Sequence, residues 1–238
     1  MNDLESLRKT LNAQITPLRD LLTSGENFDE SITLFLRVQA QLHSASVSNS
    51  GEWSFEDALL DDLTEAQFRR VPANEDHSIA WALWHITRIE DTTMNLLVAG
   101  TPEILYEGDW LPRLNVPVRH SGNEMSAEEI AAFSQQVDFA ALRAYRVSVG
   151  RRTREVVATL APADLPKKVD PARLAQVMEN GALLEAASGI RDYWGGRTMA
   201  GLLLMPASRH ILVHFNEILA LKKKKRYPLK KPGEISEV

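Results

Sequence analysis

The sequence predicts an all-α protein, a four-helix bundle with an extra N-terminal helix and a helical insertion before the last helix. Apolar residues recur three and four apart over long stretches, and no stretch of useful length alternates with the period of two that a half-buried strand needs. Turn residues and a capping box mark where those stretches begin and end. With 238 residues, 44% of them hydrophobic and 25% charged, the chain can fill one sizeable core. It reads as a single domain over 1–238, with an N-terminal helix (1–25) packed on a bundle (28–221) and a basic tail (222–238).

Taken in order, Leu4, Leu7, Leu11, Ile15, Leu18, Leu21 and Leu22 form the stripe of an amphipathic helix that ends near Ser24 and Gly25. The next helix, from about Asp29 to Val47, sets Phe28, Ile32, Phe35, Gln39, Leu42 and His43 in one broad stripe, so His43 points inward. The run from Ser48 to Gly51 breaks it, and Phe55 to Leu60 reads as a short helical turn in a long connection. A helix from about Asp76 to Ala99, stopped by Gly100, carries Trp81, His85, Ile89, Thr92 and Leu96 on one side. Ile79, Leu83, Ile86 and Leu97 lie only about a third of a turn away, and so wide an apolar arc belongs deep in a bundle. Residues 102–125 read as loop, and Ser126 to Glu129 is the capping-box start of a long helix reaching about Leu160.

A shorter helical insertion is expected from Asp170 to Gly189. The last long helix begins between Gly196 and Met199 and sets Met199, Leu203, Ala207, His210, His214, Glu217 and Leu221 on one face. Pro206 lacks a backbone donor, so it should kink or divide that helix one turn before His210. A bend there bears on His210 more than on His85 or His214.

Composition narrows the chemistry. The chain has no cysteine, which excludes disulfides, thiolate metal sites and a cysteine nucleophile together. Any metal ligands must be His, Asp or Glu. Residues 1–25 are too charged for the apolar core of a secretory signal, and no apolar run approaches the roughly 20 residues of a membrane helix, so the cytoplasm is the expected address. The net charge is −5, and the tail from Lys222 carries seven Lys or Arg against Glu234 and Glu237, which leaves residues 1–221 at −10. An acidic body with a basic tail is no nucleic-acid footprint. The tail follows a helix C-terminus, where cations are favoured, and reads as structural or solubilising.

Residues four apart share a helix face, so His210 and His214 can offer two imidazoles to one ion while His85 supplies a third from another helix. Three neutral imidazoles on a divalent cation leave a position for water or substrate. Such a site can activate water, polarise a carbonyl or deprotonate a bound small-molecule thiol. Zn or Ni is the expected ion, although imidazole also suits Cu and Fe. The plainer alternative is three core histidines bonded to backbone or carboxylate. Around them, His43 reads as a satisfied inward histidine or an added pocket group. Glu217 is an acceptor that orients His214, or else an ion-pair partner of Lys or Arg. Trp81 and Trp84 are core or substrate platform, and Glu90 and Asp91 are solvated or structural.

The stretch from His85 to Glu90, together with His210 and His214 following Gly196, Arg197 and Thr198, resembles the DinB/YfiT-like superfamily over roughly residues 28–221. The resemblance implies a four-helix bundle with a divalent metal held by His85, His210 and His214. It also implies a metal-dependent thiol S-transferase or hydrolase, since members include thiol-dependent S-transferases and a mycothiol-dependent isomerase. A low-molecular-weight thiol would then be a second cofactor. The N-terminal helix, the insertion between about Pro162 and Arg197, and Pro206 depart from the family pattern. The expected partner is a small-molecule substrate, with no nucleic acid and no membrane, and a homodimer remains open. A non-catalytic helical binding or stress-response module, with structural metal or none, is the alternative.

Overall fold

The computed structural model describes residues 4–72 and 77–223. The expected helix start at Asp76 and the tail from Lys224 to Val238 lie outside the described residues. Within them the protein is all helical, with no strand and one isolated bridge between Lys168 and Thr198. No described helix is long and apolar enough to cross a membrane.

Helix α1 (Leu4–Ser24) buries Leu7, Leu11, Leu18 and Leu22 and lies against α2 (Phe28–Leu42) and the first part of the last bundle helix. Helix α2 ends five residues earlier than its apolar stripe suggested. His43 turns to extended backbone there, and its carbonyl accepts from Ser54 Oγ at 2.7 Å, which fixes where the chain leaves the bundle. Short helices α3 (Phe55–Leu60) and α4 (Glu65–Arg69) follow, each opened by a side-chain cap from Ser54 or Thr64.

The centre of the bundle is α5 (Ile79–Asp91), whose first turn is capped by Ser78 and of which every residue but Trp81 is buried. It runs on as a π-helix over Thr92–Ala99 and stops at Gly100, which takes φ 72°. A side chain at Gly100 would be strained by that backbone, and its Cβ would stand 2.5 Å from the Arg173 guanidinium carbon. The space serves a cap, because Arg173 donates to the carbonyls of Leu97 and Val98.

Glu90 and Asp91, left open by the sequence between solvated and structural roles, are both fully buried. Arg88, also fully buried, donates to Asp91 at 2.9 Å and to Glu103 at 2.8 Å, and Tyr145 Oη donates to Asp91 at 2.5 Å. Asp91 further accepts from the backbone of Ile104 and Leu105, so the network pins the following loop, with its short helix α6 (Trp110–Leu114), to the core. Burial pushes the Asp91 carboxyl upward against the pull of the Arg88 charge.

The helix expected from Ser126 to Leu160 is two helices, α7 (Ala127–Gln136) and α8 (Phe139–Ala158). Arg69 causes the break to hold. Its Nη1 donates to the carbonyls of Ser134, Gln135 and Val137, ending α7, while Asp138 accepts from Ala141 N at 2.7 Å and begins α8. The insertion also contains two main helices, α9 (Pro171–Glu179) and α10 (Ser188–Gly195).

The last bundle helix is divided at the proline, as expected, but by a widened turn. Helix α11 (Met199–Leu204) passes through a π-helical turn at Met205–Arg209 into α12 (His210–Lys223). Ser208 Oγ donates to the carbonyls of Leu203 and Leu204, which relieves part of the disturbed backbone pairing. The long helices α2, α5 and α8 and this final segment enclose the core, with α5 touching both α8 and α12.

Candidate metal centre

Helix α5 presents four side chains, at positions 81, 84, 85 and 88, to one strip of loop. Trp81 Nε1 donates to Gly122 O at 3.1 Å, Trp84 Nε1 to His120 O at 2.9 Å, and Arg88 Nε to Arg119 O at 2.8 Å. The fourth carbonyl, Ser121 O, lies 2.9 Å from His85 Nδ1. A carbonyl can only accept, so His85 carries its proton on Nδ1 and keeps the Nε2 lone pair free. Trp81 lies parallel over the His85 ring, 4.8 Å between centroids and 5° between planes, which removes its remaining rotational freedom.

Opposite, the His214 Nδ1 stands 2.6 Å from Glu217 Oε2, so this ring too is protonated on Nδ1 and bare on Nε2. His210 lies between them. Its Nε2 is 3.1 Å from His85 Nε2 and 3.1 Å from His214 Nε2, while its buried Nδ1 has no hydrogen-bond partner. Two of three converging nitrogens therefore present lone pairs by virtue of their outer partners, and a single His210 proton can satisfy only one of them. A cation satisfies all three. Tetrahedral bonds of ~2.05 Å place ligand nitrogens ~3.3 Å apart, close to the 3.1 Å of the two pairs through His210, and all three ligand atoms lie within 4.8 Å of one another. The donor set fits a divalent ion of the kind imidazole favours.

Burial, and then the neighbouring imidazoles, push His85 down to about 3 and His210 well below the ordinary histidine value. Both are neutral at pH 7, the form that ligates a metal. One side of the cluster opens on a cavity of about 160 Å³, bounded by His85 and His210 together with Ile89, Ile190, Trp194 and Pro206.

His77, just before α5, and Trp81 and His85 within it follow one another four residues apart. His77 Nε2 lies 3.5 Å from Glu217 Oε2, and its ring packs 4.7 Å from Trp81. It thus touches the outer partners of both His214 and His85, a role the sequence reading missed although the spacing displays it. His77, His214 and Glu217 also form a second group whose ligand atoms lie close enough for an ion. At 2.6 Å, however, the His214 and Glu217 atoms are closer than the ~3.3 Å that two ligands of one ion require, so they make a hydrogen bond.

The structure brings His85, His210, His214, Glu217 and Trp81 together and leaves His43 elsewhere. His43 is fully buried with Nε2 3.1 Å from Glu90 Oε2, against α8 at Gly150. His210, the histidine most exposed to a bend at Pro206, stands at the middle of the three.

The family model of the DinB superfamily matches residues 52–189, more than half of the chain. No curated protein matches it. The matched stretch contains His85 and its loop carbonyls and stops short of His210 and His214, which the fold alone brings to His85. On the extent of that match and the all-helical architecture that bears it, the chain belongs to the DinB superfamily.

Proposed function

We propose that His85, His210 and His214 hold a divalent cation, Zn or Ni by donor type, and that the protein is a metal-dependent enzyme acting on a small electrophile with a thiol or water as nucleophile. The observation that carries this reading is the cavity beside His85 and His210, which gives the cluster an accessible side where a purely structural site would be closed. When bound, such an ion supplies Lewis acidity and lowers the pKa of a thiol or water beside it.

The chain's own residues do the rest. Ser121 O and Glu217 hold two rings with Nε2 unprotonated, and Trp81 covers one face of His85 against water. Ile89, Ile190 and Trp194 give the cavity apolar walls, which would orient a substrate by shape and exclude bulk solvent from it.

Elemental analysis of protein purified without a histidine tag, beside His85→Ala and His214→Ala, tests the site. About one equivalent of Zn²⁺ or Ni²⁺ is expected in the parent protein and little in either variant. Failure of the parent protein to retain either ion after loading and dialysis would refute the reading. Metal-loaded protein that turns over no electrophile with thiol or water would favour a structural ion.

A further inference from the structure

Two neighbouring hollows of opposite character meet at Tyr193 and Met205, which line both. The inner one, about 160 Å³, is the cavity at His85 and His210, and no Lys, Arg, Asp or Glu lines it. The outer one, about 680 Å³, is lined by Arg197 and Arg209 and by no Asp or Glu. In a body whose residues 1–221 carry −10, two arginines without a facing acid are against the general balance.

Arg143, Arg146, Arg152 and Arg191 each meet a carboxylate, and Arg151, Arg154 and Arg173 donate to backbone carbonyls instead. Among the described residues Arg197 and Arg209 do neither. The Arg197 guanidinium lies 4.1 Å over the Tyr193 ring and its stem lies beside Gly201, so the head group is held at the rim. Thr198 adds a hydroxyl to the same wall.

We infer that the outer hollow binds the anionic end of a small organic molecule, a carboxylate or phosphate ester, whose neutral apolar end enters the inner hollow at His85 and His210. Guanidinium groups match both oxyanions bidentately, whereas Ile89, Ile190 and Trp194 of the inner hollow offer walls to an apolar end. The placement of the neutral end rests on the proposed metal centre. The anion site itself does not.

NMR titration of the metal-free protein at low salt with hexanoate, hexyl phosphate and 1-hexanol separates these points. At least one of the two anions should bind about tenfold more tightly than 1-hexanol, the size that two exposed ion pairs reach together, and the two arms identify the oxyanion. Arg197→Gln with Arg209→Gln should abolish the preference while leaving 1-hexanol binding unchanged, and the single Arg209→Gln, at an exposed position, should halve its logarithm. His214→Ala should keep the preference. Equal binding of the anions and 1-hexanol, or a preference that survives the double substitution, overturns the inference. A parent protein that retains no metal but keeps the preference defeats only the metal reading, and a parent protein that binds metal without the preference defeats only the anion site.

Discussion

Glu217→Ala removes the acceptor behind His214 without touching a ligand nitrogen. Glu217 Oε2 lies 2.6 Å from His214 Nδ1, and that bond keeps the Nδ1 proton in place and the Nε2 lone pair directed at His210. Burial alone would raise this carboxyl, but the hydrogen bond from His214, with His77 beside it, outweighs burial and holds it below the usual carboxylate range. Loss of such an outer partner costs about 10–100-fold in metal affinity, or ~1.4–2.7 kcal/mol. Glu217→Gln keeps an oxygen acceptor and loses only the charge, so its loss should be the smaller of the two, less than about tenfold. Competition of each variant against a chromophoric chelator for Zn²⁺ measures both, with circular dichroism confirming the fold. Zn²⁺ affinity in Glu217→Ala equal to that of the parent protein would refute the argument. Equal losses in the two variants would show that charge, and not the tautomer, is what Glu217 supplies.

The second buried cluster yields two further tests. A Cβ at Gly150 would lie 2.6 Å from His43 Nδ1 and 2.9 Å from Cε1, and the His43 ring cannot retreat without disturbing its contact with Glu90. Gly150→Ala should therefore lower stability by about 1–2 kcal/mol in thermal unfolding, overpacking exceeding the gain in helix propensity, and a raised midpoint would contradict this. Glu90 is fully buried, which works to raise its pKa, yet His43, Arg146 and Thr153 hold it below 4.5. A carboxyl depressed on folding contributes stability that is complete above pH 4.5 and is lost as the pH falls through its folded value. Glu90→Gln should be less stable than the parent protein at neutral pH and lose less on acidification below pH 4.5; urea unfolding curves that decline in parallel would sink the assignment.

Helical spacing made the metal candidates readable. His210 and His214 lie four apart, His85 lies on a stripe of a strongly apolar helix, and Pro206 announces a disturbance between α11 and α12. What stayed hidden depends on partners distant in the chain. Helices α7 and α8 separate where Arg69 gathers three carbonyls, and nothing within residues 126–160 contains that arginine. Likewise, His85 has its tautomer set by a loop carbonyl 36 residues away. His43 was readable as inward-facing, since its stripe says so, but the same stripe cannot say that it faces Glu90 across the core and not the metal candidates.

A π-helical turn accommodates one residue more than an α-helical one, so the turn at Met205–Arg209 delivers His210 about 100° out of step with an unbroken continuation of α11. The two halves of the last helix can thus obey separate angular demands, Leu202 and Leu203 facing the core while His210 and His214 aim their nitrogens at His85. Shortening the turn by a single residue would restore α-helical phase and swing both imidazoles away from His85 as one body, leaving most of the hydrophobic packing of α11 where it is.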